Sequence, residues 1–331
     1  MMQQTGEPVP ERPAVLERAG LQVVRQGGNL GAEIRGADLG RPLSDEQFAA
    51  IHDALVANEV VFFRDQDITL DQQREFAARF GEPSIHPFSP NLDDKRDVIV
   101  LDYTADNPPA LTDQWHADET FRRAPPLATV LRARVLPAYG GDTVFSSMTA
   151  AYTGLSEPMK RYIHGMEALH DFKPWRGLFT SSEKHQKKLA ELEREFPMTW
   201  HPVVRVHPVS GRRILNVNPQ FCIKLKGLRT DESDHMLQFL YSRAAIPEYQ
   251  FRLRWAVDTV VVWDNRSVQH YAPHDYWPQR RTMERVTISG DPVRGVEGPY
   301  TPEQGVAPLP DGHHLDPALR RPTATREFER A

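Results

Sequence analysis

The segment His116-Ala117-Asp118 places a histidine and an aspartate two residues apart. If the stretch 115–121 is a strand, its side chains alternate between two faces, so His116 and Asp118 point the same way. An imidazole beside a carboxylate supplies two members of the two-histidine, one-carboxylate ligand set of non-haem Fe(II) oxygenases, which leaves metal positions open for substrate and oxygen. The pair alone fits a hydrogen-bonded polar pair at a strand edge equally well.

His270 is the candidate for the third ligand. It follows the apolar run 260–263, which is typical of a buried strand, and lies far downstream of Asp118. The fold therefore has to bring the two residues together. A β-barrel can do this because it closes by pairing strands that are distant in sequence.

Two arginines follow in the stretch 280–288. Read as a strand, this stretch places Arg281 and Arg285 on one face and Val286 and Ile288 on the other. The pattern fits a solvated basic edge. It also fits a buried strand, in which each guanidinium would need an anion to offset the cost of burial. Arginine binds carboxylate, sulfonate or phosphate through two parallel hydrogen bonds, so the doublet predicts two anionic ligands.

The composition is that of an ordinary globular protein: 331 residues, 40% hydrophobic, 26% charged, with a net charge of -5. This charge argues against nucleic acid as the main partner. No apolar run approaches the length of a membrane span, so no membrane association is expected. Cys222, the lone cysteine, rules out an internal disulfide and favours a cytoplasmic location.

The pattern of elements predicts one domain. Residues 1–20 are rich in proline and charge and are predicted to form a flexible arm, residues 21–292 the domain, and residues 293–331 a loosely ordered tail. Many short strands with helices outside them predict a mainly β fold, a sandwich or jelly-roll barrel with peripheral helices. The stretch 171–188 has no clean period and is read either as a surface loop or as an active-site lid.

Local signals support several of these elements. Ser44 and Gln47 have the spacing of a capping box before one helix, and Thr69 and Gln72 have it before a second. The run 60–63 is continuously apolar, which predicts a strand buried on both faces.

These motifs together resemble the taurine dioxygenase-like branch of the Fe(II)/2-oxoglutarate-dependent dioxygenases, which also includes aryloxyalkanoate dioxygenases and alkylsulfatases. The resemblance covers about residues 21–292, and its motifs occur in the family's order. They are Trp-His-Ala-Asp-Glu-Thr-Phe at 115–121, Gly-Gly-Asp-Thr at 140–143, His-Pro-Val-Val-Arg-Val-His-Pro at 201–208, Trp-Asp-Asn-Arg at 263–266, Gln-His-Tyr-Ala at 269–272, and Arg281 with Arg285.

The resemblance implies a double-stranded β-helix that holds Fe(II) through His116, Asp118 and His270. It implies that Thr143 and Arg281 bind the two carboxylates of 2-oxoglutarate. The family uses O2 to convert this cosubstrate to succinate and CO2 while oxidising a C–H bond of a small anionic substrate, such as a sulfonate, sulfate ester or carboxylate. Members commonly form dimers or tetramers, so a homo-oligomer is expected.

The resemblance further implies that Arg285 binds the substrate's anionic group. His86 lies in a segment similar to the family's substrate-contacting stretch. The sequence departs from the taurine enzyme at Ser89 and Thr112, where that enzyme has tyrosine and asparagine, which puts taurine itself in doubt. Two further substrate-site candidates, either apolar pocket walls or core residues, are Phe172 and Phe221.

Three alternatives stay open from the sequence. One is a non-catalytic jelly-roll protein whose metal is structural. Another is oxidation of an amino-acid-derived carboxylate. The third, a zinc hydrolase with the same ligands, leaves Arg281 unexplained.

Overall fold

The computed structural model describes residues 15–88, 92, 95–179 and 182–302. The strands are β1 (Val15–Arg18), β2 (Leu21–Arg25), β3 (Ala32–Arg35), β4 (Val60–Phe63), β5 (Pro83–Ser84), β6 (Val98–Tyr103), β7 (Ala128–Val135), β8 (Thr143–Ser147), β9 (Glu167–His170), β10 (Thr199–Pro202), β11 (Val204–Val206), β12 (Arg213–Leu215), β13 (Cys222–Leu225), β14 (Gln250–Leu253), β15 (Val260–Asp264), β16 (Val268–Tyr271) and β17 (Arg281–Ile288). The α-helices are α1 (Asp45–Asn58), α2 (Leu70–Ala78), α3 (Met148–Thr153), α4 (Glu157–Ile163), α5 (Lys173–Arg176), α6 (Glu183–Glu195) and α7 (Thr230–Ser242). Short 3-10 helices span Gly177–Phe179, Arg243–Ala245 and Pro247–Tyr249.

Within the described residues, a nine-stranded major sheet dominates the fold. Its order is β1-β2-β3-β4-β15-β7-β17-β5, and β6 also pairs with β17. A minor sheet has the order β14-β8-β16, and two smaller sheets are formed by β10-β9-β13 and β11-β12. The prediction of a mainly β fold with helices outside the sheets is therefore confirmed.

The central strands of the major sheet are buried on both faces, as the apolar run in β4 predicts for that strand. Val61 and Phe63 belong to the core beneath α1 and α2. Val60 and Phe62 point the other way, into a second core shared with Phe145 of the minor sheet. Strands β15 and β17 alternate in the same manner, so the space between the two sheets receives every second side chain of these strands.

Both predicted capping boxes form. The Ser44 and Thr69 hydroxyls accept from the backbone amides of Gln47 and Gln72, whose side chains accept from the two cap residues in return. These bonds satisfy backbone donors that the first turns of α1 and α2 leave unpaired.

The expected arm through residue 20 is corrected where the structure describes it. Val15–Arg18 forms β1, paired antiparallel with β2. Ala19 and Gly20 both have positive φ, at 53° and 75°. Two such residues form the tight turn whose twist matches a hairpin, and this turn adds β1 to the edge of the major sheet. Residues 1–14 lie outside the described residues.

The expected loose tail is corrected at its start. The Val206 amide donates to the Arg294 carbonyl at 2.9 Å. Arg213 donates to the Thr301 carbonyl at 2.6 Å, and the Tyr300 hydroxyl bonds Glu157. Residues 293–302 are therefore fixed to the domain surface by hydrogen bonds, and the rest of the predicted tail lies outside the described residues.

The stretch 171–188 is largely helical rather than a surface loop. It contains α5, a 3-10 turn and the start of α6. The sequence of α6 conceals its helical period because Leu192 is its one buried residue. The stretch contributes three members to an aromatic cluster, which is defined as Phe88, Phe121, Phe172, Trp175, Phe179, Phe196 and Phe221 with Leu189 and Leu192. A role as an active-site lid stays a prediction.

No helix in the described ranges is long and apolar enough to cross a membrane.

Candidate active site

The two histidines of the predicted triad come together through their backbones. His270 lies on β16 of the minor sheet, and His116 forms an isolated antiparallel bridge with it. The His116 amide donates to the His270 carbonyl at 3.1 Å, and the reverse bond measures 2.7 Å. Their ring centroids are 4.1 Å apart, so one bridge places two imidazoles side by side.

Asp118 lies in a turn, and the prediction of a strand over 115–121 is wrong. The strand-like part is limited to the bridge at His116. Residues 118–121 form a turn in which Glu119 has φ 49°. The chain leaves the β16 edge at this left-handed residue, so no further ladder bonds form.

The three side chains nevertheless converge. One ligand atom from each of His116, Asp118 and His270 lies within 4.8 Å of the others, and all three residues are buried. Asp118 Oδ1 is 3.9 Å from His116 Nε2 and 3.6 Å from His270 Nε2. The fold therefore brings Asp118 and His270 together, as predicted.

The electrostatics suit a metal. Burial lowers the pKa of both imidazoles, so both are neutral at pH 7. His116 Nδ1 lies 2.7 Å from the Gln114 carbonyl, which fixes the proton on Nδ1 and leaves the Nε2 lone pair toward the site. Burial is the largest single influence on Asp118 and tends to raise its pKa, but the charge and hydrogen bond of Arg285 together with the neighbouring His270 and His116 outweigh it, so the pKa lies below its ordinary value and the carboxylate is ionised. Two neutral imidazoles and one carboxylate fit Fe(II).

The second oxygen of Asp118 is engaged on the far side. Thr129 Oγ1 on β7 donates to Asp118 Oδ2 at 2.9 Å, and Arg285 Nη2 lies 2.8 Å from the same atom. This division of the two oxygens aims Oδ1 at the histidines. A role for Thr129 was not predicted, although a hydroxyl on the otherwise apolar inward face of β7 could have suggested one.

Arg281 and Arg285 both point into the space between the sheets, as the alternation of β17 predicts. Arg281 is 4% exposed, and its Nε donates to the Gly141 carbonyl at 3.1 Å. Its guanidinium lies over the rings of Trp255 and Tyr276, at 5.9 and 5.7 Å. Burial lowers its pKa, and in the described part of the chain no ion pair joins it to a carboxylate.

One cavity of about 60 Å³ contacts most of these groups. Its polar lining includes His116, Thr112, His270, Thr143, Arg281 and Arg285. Thr143 is buried on β8 and accepts a hydrogen bond from Trp255 Nε1 at 3.0 Å. The cavity therefore joins two ligand histidines, the predicted cosubstrate residues and Arg285.

The remaining predicted substrate residues are placed differently. His86 is buried, and its Nδ1 accepts from the Phe88 amide at 3.2 Å. Burial lowers the pKa of His86 to about 3, so its ring is neutral. Thr112 lines the cavity and bonds His274 Nε2 at 2.8 Å. Ser89 lies outside the described residues.

Phe172 and Phe221 belong to the aromatic cluster, where they are 0% and 1% exposed. Neither is part of the cavity lining. Of the two alternatives, pocket wall or core residue, the position of both residues is that of core residues. His86 borders this cluster, with its ring centroid 5.7 Å from that of Trp175.

Comparison with known proteins agrees with the geometry. Residues 22–287 match the model of the "Taurine catabolism dioxygenase TauD, TfdA family". An alpha-ketoglutarate-dependent sulfate ester dioxygenase of Pseudomonas putida is 39% identical over 290 residues, covering 84% of this chain and 92% of that protein. An alkylsulfatase of Acinetobacter baylyi is 35% identical over 284 residues, covering 84% and 88% of the two chains.

Solved structures agree as well. A putative alpha-ketoglutarate-dependent taurine dioxygenase of Burkholderia xenovorans is 33% identical with a TM-score of 0.72, covering 84% of this chain and 95% of that one. The structure of AAD-2 in complex with Mn(II) and N-oxalylglycine is 27% identical with a TM-score of 0.69, covering 84% and 100%. These likenesses confirm the jelly-roll prediction. The chain thus belongs to the TauD/TfdA family and is an Fe(II)/2-oxoglutarate-dependent dioxygenase, an oxidoreductase that uses O2.

Proposed function

We propose that this dioxygenase oxidises a C–H bond of a small organic sulfate ester and releases succinate and CO2 from 2-oxoglutarate. The observation that carries the proposal is the pair of inward-facing arginines on β17, which line one cavity with two histidines of the triad. One guanidinium can bind the cosubstrate's far carboxylate. The other, that of Arg285, pairs with Asp118 through Nη2 and has further N–H donors for a substrate anion. The relatives at 39% and 35% identity favour sulfate esters over sulfonates and carboxylates.

In this proposal His116, Asp118 and His270 hold Fe(II), and Thr143 and Arg281 bind 2-oxoglutarate. Fe(II), with the cosubstrate and O2, supplies the oxidising chemistry that converts C–H to C–OH. The protein's residues set the geometry. Thr129 and Arg285 hold the second oxygen of Asp118, so the first stays directed at the metal position.

Substrate recognition rests on Arg285, with His86 and Thr112 beside it. The Phe88 amide bonds Nδ1 of His86, so Nε2 carries the proton and can donate to a sulfate oxygen. The aromatic cluster provides an apolar boundary for a carbon chain where His86 meets Trp175, and Phe172 and Phe221 support this boundary by packing behind it. Ser89, which lies outside the described residues, stays a predicted substrate contact on the sequence alone.

The proposed outcome is cleavage of the ester. Hydroxylation of the carbon bearing the sulfate oxygen gives an adduct in which that C–O bond breaks. The hydroxyl proton leaves, its oxygen forms a carbonyl, and the bond electrons depart with sulfate. One O2 and one 2-oxoglutarate are consumed per aldehyde, sulfate, succinate and CO2 formed.

The test measures succinate and inorganic sulfate with Fe(II), ascorbate, 2-oxoglutarate and a panel of alkyl sulfates, alkyl sulfonates, aryloxyalkanoates and N-substituted amino acids. Alkyl sulfates should stimulate succinate release well above the uncoupled background, with equimolar sulfate. Stimulation only by sulfonates or carboxylates would refute the substrate class while keeping the reaction class. An Asp118→Ala variant serves as the metal-site control and should lose both products.

We also propose a cytoplasmic homo-oligomer, a dimer or tetramer, without nucleic acid or membrane partners. The buried lone Cys222 supports the cytoplasmic location, and the net charge of -5 supports the absence of a nucleic-acid partner. The homo-oligomer rests on the family resemblance. Light scattering after size-exclusion chromatography measures the mass of the assembly; a mass of one chain, 37.7 kDa, would contradict it.

A further inference from the structure

Asp118 lacks the backbone support that the two histidines share. His116 and His270 satisfy each other's backbone groups across their bridge. Asp118 lies two residues beyond this bridge, in a turn whose next residue, Glu119, is left-handed. Its backbone N–H and C=O are buried with the residue, which is 3% exposed, so they need partners other than a neighbouring strand.

The Asn265 side chain supplies both partners. Its Oδ1 accepts from the Asp118 amide at 2.6 Å, and its Nδ2 donates to the Asp118 carbonyl at 3.0 Å. The same Nδ2 also donates to the Pro126 carbonyl at 3.0 Å. One primary amide therefore bonds a donor and an acceptor of one residue, as a paired strand does, while its second hydrogen binds the segment entering β7.

Asn265 is itself fixed in place. Its backbone amide donates to the Leu127 carbonyl at 2.9 Å. The preceding residue, Asp264, is fully buried and accepts two bonds from Arg266, at 2.8 and 2.6 Å, and one from His207 at 2.9 Å. Asn265 thus presents its amide from an anchored turn at the end of β15.

The bonds of Asn265 also affect the carboxylate of Asp118 at the metal position. The Asn265 bonds connect the Asp118 turn to the start of β7, which carries Thr129, the donor to Asp118 Oδ2. Both the backbone and the carboxylate of Asp118 are then set by one connected group of residues. We infer that Asn265 is a positioning residue of the iron site, replacing with its side chain the strand partner that the carboxylate ligand lacks. This inference rests on the proposed iron role of Asp118.

The test compares Mn(II) affinity of the full-length, metal-free protein and of Asn265→Ala, measured by calorimetry or by the EPR signal of free Mn(II). Loss of groups that orient metal ligands typically weakens metal binding about 10- to 100-fold, and we expect a rise of this size in the Mn(II) Kd. The affinity for 2-oxoglutarate at saturating Mn(II) should stay within roughly threefold, since Arg281 and Thr143 are untouched.

Asn58→Ala is the matched control. Asn58 is also a buried asparagine, 7% exposed, and its amide donates to the Ala54 carbonyl at the end of α1. A purely structural asparagine should lower the unfolding temperature without changing the Mn(II) Kd of the folded protein. If Asn265→Ala behaves this way, the inference is wrong.

Two further variants keep the outcome decisive. If Asn265→Ala does not fold, Asn265→Ser replaces it, because a hydroxyl fits the space but cannot bond both the backbone N–H and the C=O of Asp118. An unchanged Mn(II) Kd in the serine variant overturns the inference. The Asp118→Ala variant distinguishes a failure of the Asn265 inference from a failure of the metal-site assignment. If its Mn(II) Kd is also unchanged, the metal-site assignment itself fails.

Discussion

Replacing Arg281 with leucine should have opposite consequences for cosubstrate binding and for the stability of the ligand-free protein. The guanidinium is 4% exposed and bonds the Gly141 carbonyl, and no ion pair to a carboxylate accompanies it among the described residues. In the ligand-free protein, leucine removes a buried charge and loses the hydrogen bonds of the guanidinium with the Gly141 carbonyl and the Tyr276 side chain, worth about 1 kcal/mol each. The free energy of unfolding should therefore change little or increase.

Cosubstrate binding should fall steeply. Removing one partner of a buried, hydrogen-bonded charge pair costs about 2–5 kcal/mol, which corresponds to roughly a 30- to 4,000-fold rise in Kd. Calorimetry with 2-oxoglutarate and Mn(II), which replaces Fe(II) to prevent turnover, measures this directly. The rise in unfolding temperature that 2-oxoglutarate causes in the parent should disappear as well.

Arg280→Leu is the neighbouring control. Arg280 binds Asp102 through two bonds of 2.9 Å on the surface, with 58% of its side chain exposed. This variant should retain the parent's Kd for 2-oxoglutarate. An Arg281→Leu Kd within threefold of the parent, or equal to that of Arg280→Leu, would refute the assignment of Arg281.

Two other predictions concern Arg285 and His201. Arg285→Leu should raise the substrate Kd at least about tenfold, because a charge-assisted pair with the substrate anion is lost, and it should raise the 2-oxoglutarate Kd much less. Calorimetry measures both constants, and equal effects on the two ligands would contradict this prediction. Burial lowers the pKa of His201 from 6.5 to about 4, so the unfolded chain takes up this proton first and stability is lost as pH falls from 6.5 toward 4. The loss between pH 7 and pH 5 is about 2 kcal/mol for this group, and His201→Gln should lack it. Urea unfolding at both pH values measures the difference, and identical losses in parent and variant would show that His201 is not its source.

The alternation of strand side chains made much of the fold and site predictable. In β17 a period of two places Arg281 and Arg285 inward and Val286 and Ile288 toward the helices, and the structure has this arrangement. This alternation could be predicted without knowing which strands lie beside β17. The side-chain types of His116, Asp118 and His270 made these residues candidates, because few donor sets suit Fe(II), and the family resemblance was needed to assign them as the ligand set.

Features that depend on contacts distant in sequence were not predictable. The segment around Asp118 reads as a strand, but its partner is the Asn265 side chain rather than a backbone. Local patterns also cannot show that Arg285 lies 2.8 Å from Asp118 in the ligand-free protein. Helix α6 was missed because its exposed face dominates its composition and Leu192 alone is buried.

The position of β17 has a consequence for synthesis of the protein. It is the last strand in the part of the chain that the structure describes, yet it lies inside the major sheet and pairs with both β7 and β6. A nascent chain that stops short of residue 288 therefore presents the unpaired edges of β7 and β6, which are templates for association with other chains. Translation adds roughly 5–20 residues per second, so this exposure is brief in a chain that is completed and lasting in a truncated one. Premature termination upstream of β17 should accordingly yield aggregates rather than a smaller soluble domain.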